Sequence, residues 1–126
     1  MEKKVVFTNN APAPIGPYSQ AILINNTLYM SGQIGIDPKT GNLNNEDIVE
    51  ETHQVLKNVE AILREGGLSL DNVVKCTIFL KNMNDFSTVN KIYTEYFRIE
   101  PPARETVEVS RLPKDANVEI SCIAVR

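Results

Sequence analysis

Two ionisable residues, Arg104 and Glu119, lie in strand-like stretches near the C-terminus and are the first candidates for chemistry. A guanidinium is always charged, and its planar fork matches a carboxylate through two parallel hydrogen bonds. Glu119 could position or deprotonate a water if its surroundings raise its pKa. The structural alternatives are an ion pair from Arg104 to a glutamate and an interface salt bridge from Glu119. Spacing alone leaves these alternatives open.

The faces of the two stretches differ in polarity. Alternation predicts that one face of the first stretch is polar throughout, formed by Arg104, Thr106, Glu108 and Ser110. The second stretch has an apolar face formed by Val118, Ile120, Cys122 and Ala124, and Glu119 lies on its other face. An ion-bearing strand face with apolar neighbours indicates a lined cleft or an interface.

Two further polar residues, Asn90 and Tyr18, are candidates for such a cleft. Asn90 falls at the three-four spacing of an apolar helix stripe, so its amide either bonds a carbonyl in the core or faces a polar pocket beside Arg104. Tyr18 leaves a proline-rich loop, and its phenol either reaches a ligand or packs beneath that loop. The only histidine, His53, has no serine or cysteine nucleophile motif to partner it.

Length and composition restrict the class of protein. The chain has 126 residues, of which 42% are hydrophobic and 23% charged, and this predicts one folded domain over 1–126. A net charge of -3 without a basic cluster disfavours nucleic-acid binding. The absence of a signal-peptide core or a membrane-length apolar run favours the cytoplasm and no membrane partner. Cys76 and Cys122 form no Cys-x-x-Cys pair, so we predict reduced core cysteines and no metal site.

The order of predicted elements is strand, hairpin, helix, strand, helix, hairpin. We expect a strand at 5–7, a proline-rich loop at 11–17, and a hairpin formed by 18–24 and 27–32. Two helices follow, at 46–65 and 83–97, with a strand at 71–80 between them. The two stretches that carry Arg104 and Glu119 form a final hairpin. The second helix has an apolar stripe of Phe86, Val89, Tyr93, Tyr96 and Phe97.

This order predicts an α+β fold in which both helices cover one face of a mainly antiparallel sheet. The chain is too short to place a third layer on the other face. We therefore expect that face to associate with other copies of the chain.

Several motifs, in their order and spacing, resemble those of the RidA/YjgF family of reactive intermediate deaminases over essentially the whole chain. The motifs are Ala13-Pro14-Ile15-Gly16-Pro17-Tyr18-Ser19-Gln20, Ser31-Gly32-Gln33-Ile34, the helix around Asn58, Phe86-Ser87-Thr88-Val89-Asn90, Pro102-Ala103-Arg104, Val107 to Asp115, and Val118-Glu119-Ile120. No single motif carries the resemblance, which rests on their combination.

The resemblance implies a chorismate-mutase-like α+β subunit with a mixed sheet, and a homotrimer whose sheets line a barrel with clefts between neighbours. It implies hydrolysis of 2-iminopropanoate and 2-iminobutanoate to 2-oxo acids and ammonia, without a cofactor or a metal. By the same likeness, Arg104 would hold the substrate carboxylate and Glu119 would position water. The substrate-binding residues that it implies are Tyr18, Ser31, Gly32, Asn90, Arg104 and Thr106.

One position departs from the family pattern. Many deaminase members carry Arg-x-Cys, whereas this chain has Thr106 in the place of that cysteine. If the cysteine acts through its backbone N–H, threonine can replace it, and if the thiol acts, activity or substrate choice differs. Two other functions compete with the deaminase: a non-enzymatic trimer that binds small carboxylates or partner proteins, and an endoribonuclease, which the acidic composition disfavours.

Overall fold

Six strands form one continuous sheet in the computed structural model, which describes residues 2–126. The strands are β1 (Lys3–Val6), β2 (Ala21–Ile24), β3 (Thr27–Met30), β4 (Val73–Leu80), β5 (Ala103–Glu108) and β6 (Val118–Val125), and the two α-helices are α1 (Ile48–Glu65) and α2 (Phe86–Tyr96). The order of strands across the sheet is β1-β2-β3-β6-β4-β5. The mixed α+β class predicted for the chain is therefore correct, and β1 and β5 are the edge strands.

Helix α1 has local signals at both ends. Asp47 caps its start, because the Asp47 carboxylate accepts a hydrogen bond from the Glu50 backbone N–H at 2.8 Å. Its end is a Schellman motif, in which the N–H of Gly67 bonds the carbonyl of Arg64 and the N–H of Leu68 bonds that of Leu63. Gly67 has a φ of 79°, a left-handed conformation that favours glycine. The predicted helix at 46–65 is confirmed apart from its first two residues.

The predicted hairpin at the start of the sheet is also confirmed. Strands β2 and β3 pair antiparallel with Ile24 opposite Thr27, so Asn25 and Asn26 form a two-residue loop. Asn25 has a φ of 53°, as a tight hairpin turn requires. β1 adds to the free edge of β2, antiparallel.

The final hairpin predicted from the sequence is wrong, because β5 and β6 do not pair with each other. β4 lies between them, pairing parallel with β5 and antiparallel with β6. The reason is that α2 connects β4 to β5: a helical crossover returns the chain to the end of the sheet where β4 began, and the next strand then runs parallel. Residues 109–117 carry the chain from β5 across β4 to β6.

Both helices pack on one face of the sheet, as predicted. The buried side chains of that face include Cys76, Ile78, Ile120 and Cys122, which share a core with Val55, Leu56, Val59, Val89 and Ile92 of the helices. Cys76 and Cys122 are free thiols in this core, as expected. Neither helix in the described part of the chain has the length and hydropathy of a membrane span.

The opposite face of the sheet is only partly covered. At one end, a small apolar cluster of Ile34, Ile36, Leu112 and Ala116 packs beside Phe79. Elsewhere Tyr29 on β3 and Val107 on β5 are 50% and 41% exposed. We call this surface the open face.

Candidate functional site

Arg104 and Glu119 point to opposite faces of the sheet. Arg104 is paired across the sheet with Cys76, whose partner on β6 is the core residue Cys122. Glu119 is instead paired with Phe79, three residues along β4 from Cys76. Because side chains alternate between faces, Arg104 belongs to the helix-covered face and Glu119 to the open face. One chain therefore does not bring the two residues to one small molecule.

The guanidinium of Arg104 lies over aromatic rings at the edge of the helical layer. Its Cζ atom is 4.8 Å from the ring centroid of Tyr93 and 5.7 Å from that of Phe86, both on α2. These distances are within the range of cation–π attraction. Strand β5 supplies the arginine and α2 supplies its aromatic support.

None of the carboxylates in residues 2–126 pairs with Arg104. The two glutamates that share β5 with Arg104 have other partners. Glu105 binds the ammonium of Lys75 at 3.0 Å, and the Thr77 hydroxyl donates to its other oxygen. Glu108 accepts a hydrogen bond from the backbone N–H of Met83 at 2.8 Å. Within residues 2–126, Arg104 therefore forms no internal ion pair, and the N–H donors of its guanidinium are available to a ligand.

We call the groove around this residue the Arg104 groove, lined by Asn90, Tyr93, Thr94, Phe97, Arg98, Pro101, Pro102 and Arg104. Asn90 lines it half-buried, and its side-chain amide makes no hydrogen bond within residues 2–126. Its backbone carbonyl accepts a hydrogen bond from the hydroxyl of Thr94 at 2.9 Å. Of the two alternatives for Asn90, the structure has the one in which its amide lies in the pocket beside Arg104.

Thr106 lies two residues beyond Arg104 and faces the same side of the sheet. Its hydroxyl oxygen is buried and has no hydrogen-bond partner within the described chain. Because this oxygen is closed to solvent, it is also closed to a ligand that enters from solvent. The Thr106 side chain therefore presents no hydrogen-bonding group to such a ligand.

A second cleft surrounds Glu119 on the other face. We call it the Glu119 cleft, lined by Pro12, Ala13, Ile15, Tyr18, Gln20, Gly32, Gln33, Ile34, Ile36, Pro113 and Glu119. Burial raises the pKa of the half-buried Glu119 carboxyl group above its usual value of 4.5. No salt bridge in residues 2–126 involves this group. It is a desolvated carboxyl group with free acceptor oxygens, as a general base requires.

Gly32 brings the main chain directly against the Glu119 carboxyl group. The residues that follow each of them, Gln33 and Ile120, exchange two backbone hydrogen bonds of 2.8 and 3.0 Å. This antiparallel bridge holds the segment after β3 beside the start of β6. Glycine at position 32 leaves room for the Glu119 carboxyl group, and it does so by lacking a side chain, since its backbone is not left-handed.

Tyr18 lies at the rim of the Glu119 cleft, 47% exposed, and its hydroxyl accepts a hydrogen bond from the backbone N–H of Ile15 at 3.2 Å. The loop that carries it is held by buried Gln20, whose amide donates to the carbonyls of Thr8 and Pro12 and accepts from the N–H of Thr8. The Tyr18 hydroxyl keeps its own proton for a ligand.

Ser31 also holds this loop. Its hydroxyl donates to the carbonyl of Ser19 at 2.7 Å, and its backbone N–H bonds the carbonyl of Gln20 at 2.9 Å. The donor of Ser31 is committed within the chain, so only its lone pairs remain for a ligand.

Sequence reasoning missed three residues that build these clefts. Tyr93 was assigned only to the apolar stripe of α2, although an aromatic residue three positions after Asn90 shares its helix face. Gln20 has a detectable signal, since a polar side chain starts a strand beside a proline-rich loop. Glu51 has no such signal in the sequence. Its buried carboxylate, on α1, accepts hydrogen bonds from the backbone N–H and the side-chain amide of Asn117, which lies two residues before Glu119.

The predicted site residues thus form two groups. Tyr18, Gly32 and Glu119 lie in one cleft with Ser31 behind it, while Asn90 and Arg104 lie in the other with Thr106 behind it. No cluster of three or more histidine, cysteine or acidic residues suited to a metal occurs within residues 2–126.

Comparison with known proteins places the chain among close relatives. Residues 8–126 match the family described as Endoribonuclease L-PSP. The chain is 56% identical to a RutC family protein of Pyrococcus horikoshii over 98% of both chains. It is 50% identical to the mouse 2-iminobutanoate/2-iminopropanoate deaminase, covering 98% of this chain and 92% of that protein. A crystal structure of YyfA, a Rid family protein of unknown function from Yersinia pestis, is 55% identical and superposes with a TM-score of 0.97 over 99% and 100% of the two chains.

Proposed function

Since the chain belongs to the RidA/YjgF family, we propose that it hydrolyses 2-iminopropanoate and 2-iminobutanoate to the 2-oxo acids and ammonia. The similarity to a protein named as this deaminase supports the reaction. The observation that carries the proposal is the Arg104 guanidinium, which rests on the Tyr93 ring with no internal acid. A cation in this state is suited to the carboxylate of a small imino acid.

Arg104 holds the substrate through its carboxylate. The planar guanidinium donates two parallel hydrogen bonds, each worth roughly 1.5–3 kcal/mol because both partners are charged. For so small a ligand, this anchor supplies most of the binding free energy. It also holds the imine carbon at a constant distance from the groups that deliver water, which is the gain from proximity.

Glu119 activates the water. The ionised carboxylate accepts a proton as the water oxygen bonds to the carbon of the protonated imine, and the carbon–nitrogen π bond breaks to give a carbinolamine. The carboxyl group returns that proton to the nitrogen and then accepts the hydroxyl proton, so that the carbonyl forms as the carbon–nitrogen single bond breaks and ammonia leaves. The raised pKa of Glu119 makes it a stronger base than an exposed glutamate. The Tyr18 hydroxyl, at the rim of the same cleft, donates to the substrate.

The assembled site needs two chains. Arg104 and Glu119 face opposite sides of one sheet, so a substrate held by one arginine meets the glutamate of a neighbouring copy. The exposed apolar part of the open face and the unpaired edge of β5 favour such association. We propose a homotrimer in which each cleft joins the Arg104 groove of one subunit to the Glu119 cleft of the next.

The test generates 2-iminobutanoate with a dehydratase and traps the surviving imine as its semicarbazone. Wild-type protein should reduce the amount trapped, and Arg104→Ala should restore it to the enzyme-free level. Arg64→Ala is the matched control, because Arg64 is an exposed arginine of α1 and should keep wild-type activity. Equal trapping with and without wild-type protein would remove the proposal, whereas binding of 2-oxobutanoate without turnover would favour the carboxylate-binding alternative.

RNA cleavage is the competing hypothesis, because the family carries an endoribonuclease description. The only histidine, His53, forms a hydrogen bond of 2.8 Å with the Tyr96 hydroxyl and lines a different groove from those of Arg104 and Glu119. RNA cleavage by purified protein that survives Arg104→Ala would support this function and assign it to another part of the molecule.

A further inference from the structure

We propose that Tyr93 is a positioning residue that sets the plane of the Arg104 guanidinium, and that its ring does this without its hydroxyl. This inference rests on the proposed function, since it assigns Arg104 to the substrate carboxylate. A bidentate contact depends on the direction of the guanidinium plane as well as on its charge.

The environment of Arg104 leaves the rings as its directing contacts. No carboxylate and no hydrogen-bond acceptor within residues 2–126 holds the guanidinium. What lies against it is the ring of Tyr93 at 4.8 Å and, farther away, that of Phe86 at 5.7 Å. An arginine side chain without directing contacts would lose rotamer freedom on binding each substrate, which weakens binding.

Tyr93 is itself held in place. Its side chain is buried, and its ring packs on that of Phe97 with a centroid distance of 4.6 Å. Its hydroxyl end lies beside the thiol of Cys76, which is the partner of Arg104 across the sheet. The ring is thus fixed between α2 and β4 and supports the residue that β5 presents.

The Tyr93 hydroxyl has no part in this arrangement. It is buried, and its contact with the Cys76 thiol falls outside hydrogen-bond geometry, so it has no partner in the described chain. Burial, and then the adjacent thiol, raise its pKa far above the usual value for tyrosine. The hydroxyl therefore stays protonated at neutral pH.

The experiment compares Tyr93→Phe, which keeps the ring, with Tyr93→Leu and Tyr93→Met, which remove it. Measurements are KM and kcat for 2-iminobutanoate and the Kd of 2-oxobutanoate by calorimetry. We expect Tyr93→Phe to remain within about twofold of wild type, and the other two variants to raise both KM and Kd about tenfold with a smaller change in kcat. Wild-type KM and Kd in Tyr93→Leu and Tyr93→Met would overturn the inference.

Two controls separate this role from support of the core. Ile92→Ala removes a buried side chain from the same helix that is not beneath Arg104, so it should lower the melting temperature and leave KM unchanged. In an Arg104→Lys background, Tyr93→Leu should have a smaller effect on Kd, because a lysine has no plane to orient. An equal rise in KM in Ile92→Ala, or an unchanged effect in the lysine background, would contradict the proposal.

The two readouts also distinguish this inference from the proposed function. Wild-type protein that binds 2-oxobutanoate but does not consume the imine contradicts the deaminase, and the Kd series still decides the role of Tyr93. Wild-type protein that neither binds nor turns over contradicts both.

Discussion

A β-carbon built on Gly32 would lie 2.6 Å from Cδ of Glu119 and 2.7 Å from its Oε2. Carbon atoms do not approach so closely, so any side chain at position 32 must displace the carboxyl group. The atoms in conflict are at the end of a flexible side chain, and the sheet itself need not move. Gly32 therefore controls where the proposed base lies, without controlling whether the chain folds.

Gly32→Ala should keep the fold and lower kcat/KM by about tenfold or more, because the carboxylate leaves its position beside the reacting water. Kinetics and thermal unfolding measure the two effects. The matched control is Gly41→Ala: Gly41 has a φ of 78° with nothing within 4 Å of an added β-carbon, so it should lose about 1 kcal/mol of stability through strain and keep its activity. Full activity in Gly32→Ala would contradict the assigned position of the base.

Glu119→Gln should abolish hydrolysis and raise stability at neutral pH. Burial raises the pKa of this carboxyl group, so its contribution to folding is fully present below its unfolded value near 4.5 and is lost as the pH rises through the higher folded value. The glutamine side chain does not ionise, so the variant keeps its stability as the pH rises. Its advantage over wild type in denaturant unfolding should therefore grow from pH 4 upward.

Glu105→Gln should change the stability in the opposite direction. Hydrogen bonds from Thr77 and Lys75 lower the pKa of the exposed Glu105 carboxyl group, so its contribution is present above the unfolded value and lost at lower pH. Glu105→Gln should slightly lower stability at neutral pH. The same direction of change in both variants would show that the environment of Glu119 is misassigned.

The pH dependence of activity follows from the same shift. The base must be ionised, so kcat/KM should fall on the acid side around a pKa above 4.5. The measurement uses dehydratase in excess at every pH, so that imine supply does not limit the rate. An acid limb below 4.5 would mean that Glu119 is not the titrating group.

A mixture of inactive subunits should recover activity if the site is shared. Arg104→Ala and Glu119→Gln chains, co-refolded in equal amounts, form some clefts that contain the intact arginine of one chain and the intact glutamate of another. Random assortment in a cyclic trimer gives about a quarter of the wild-type sites. Recovery near that level is expected, and a mixture as inactive as its components would contradict a site between subunits.

Thr106→Val tests what the residue at the usual cysteine position contributes. The valine has nearly the same shape and removes a buried hydroxyl without a partner, so stability should be unchanged or higher by up to about 1 kcal/mol. Activity should stay within about threefold, because the backbone N–H remains. Thr106→Cys, which restores the family residue, should behave alike, and a large gain of activity in that variant alone would show that the thiol takes part.

Local sequence signals predicted the elements that depend on local interactions. Helix α1 followed from its apolar spacing, with Gly66 and Gly67 at its end, and the first hairpin followed from Asn25 and Asn26. The pairing of β5 did not follow, because its partner lies on the far side of a helical crossover. A pattern of alternation states which residues share a face, but it does not state which strand lies alongside.

The identity of the reactive groups was likewise available from the chain itself. A permanent cation at Arg104 and a carboxylate at Glu119 are properties of residue type, and the resemblance to the family motifs predicts roles for both. What tertiary structure decided is their separation. The strand register through β4 places Arg104 and Glu119 on opposite faces of the sheet. Helix α2 places the Tyr93 ring against Arg104, and the backbone at Gly32 lies against the Glu119 carboxyl group. These relationships join segments distant in sequence, and only packing determines them.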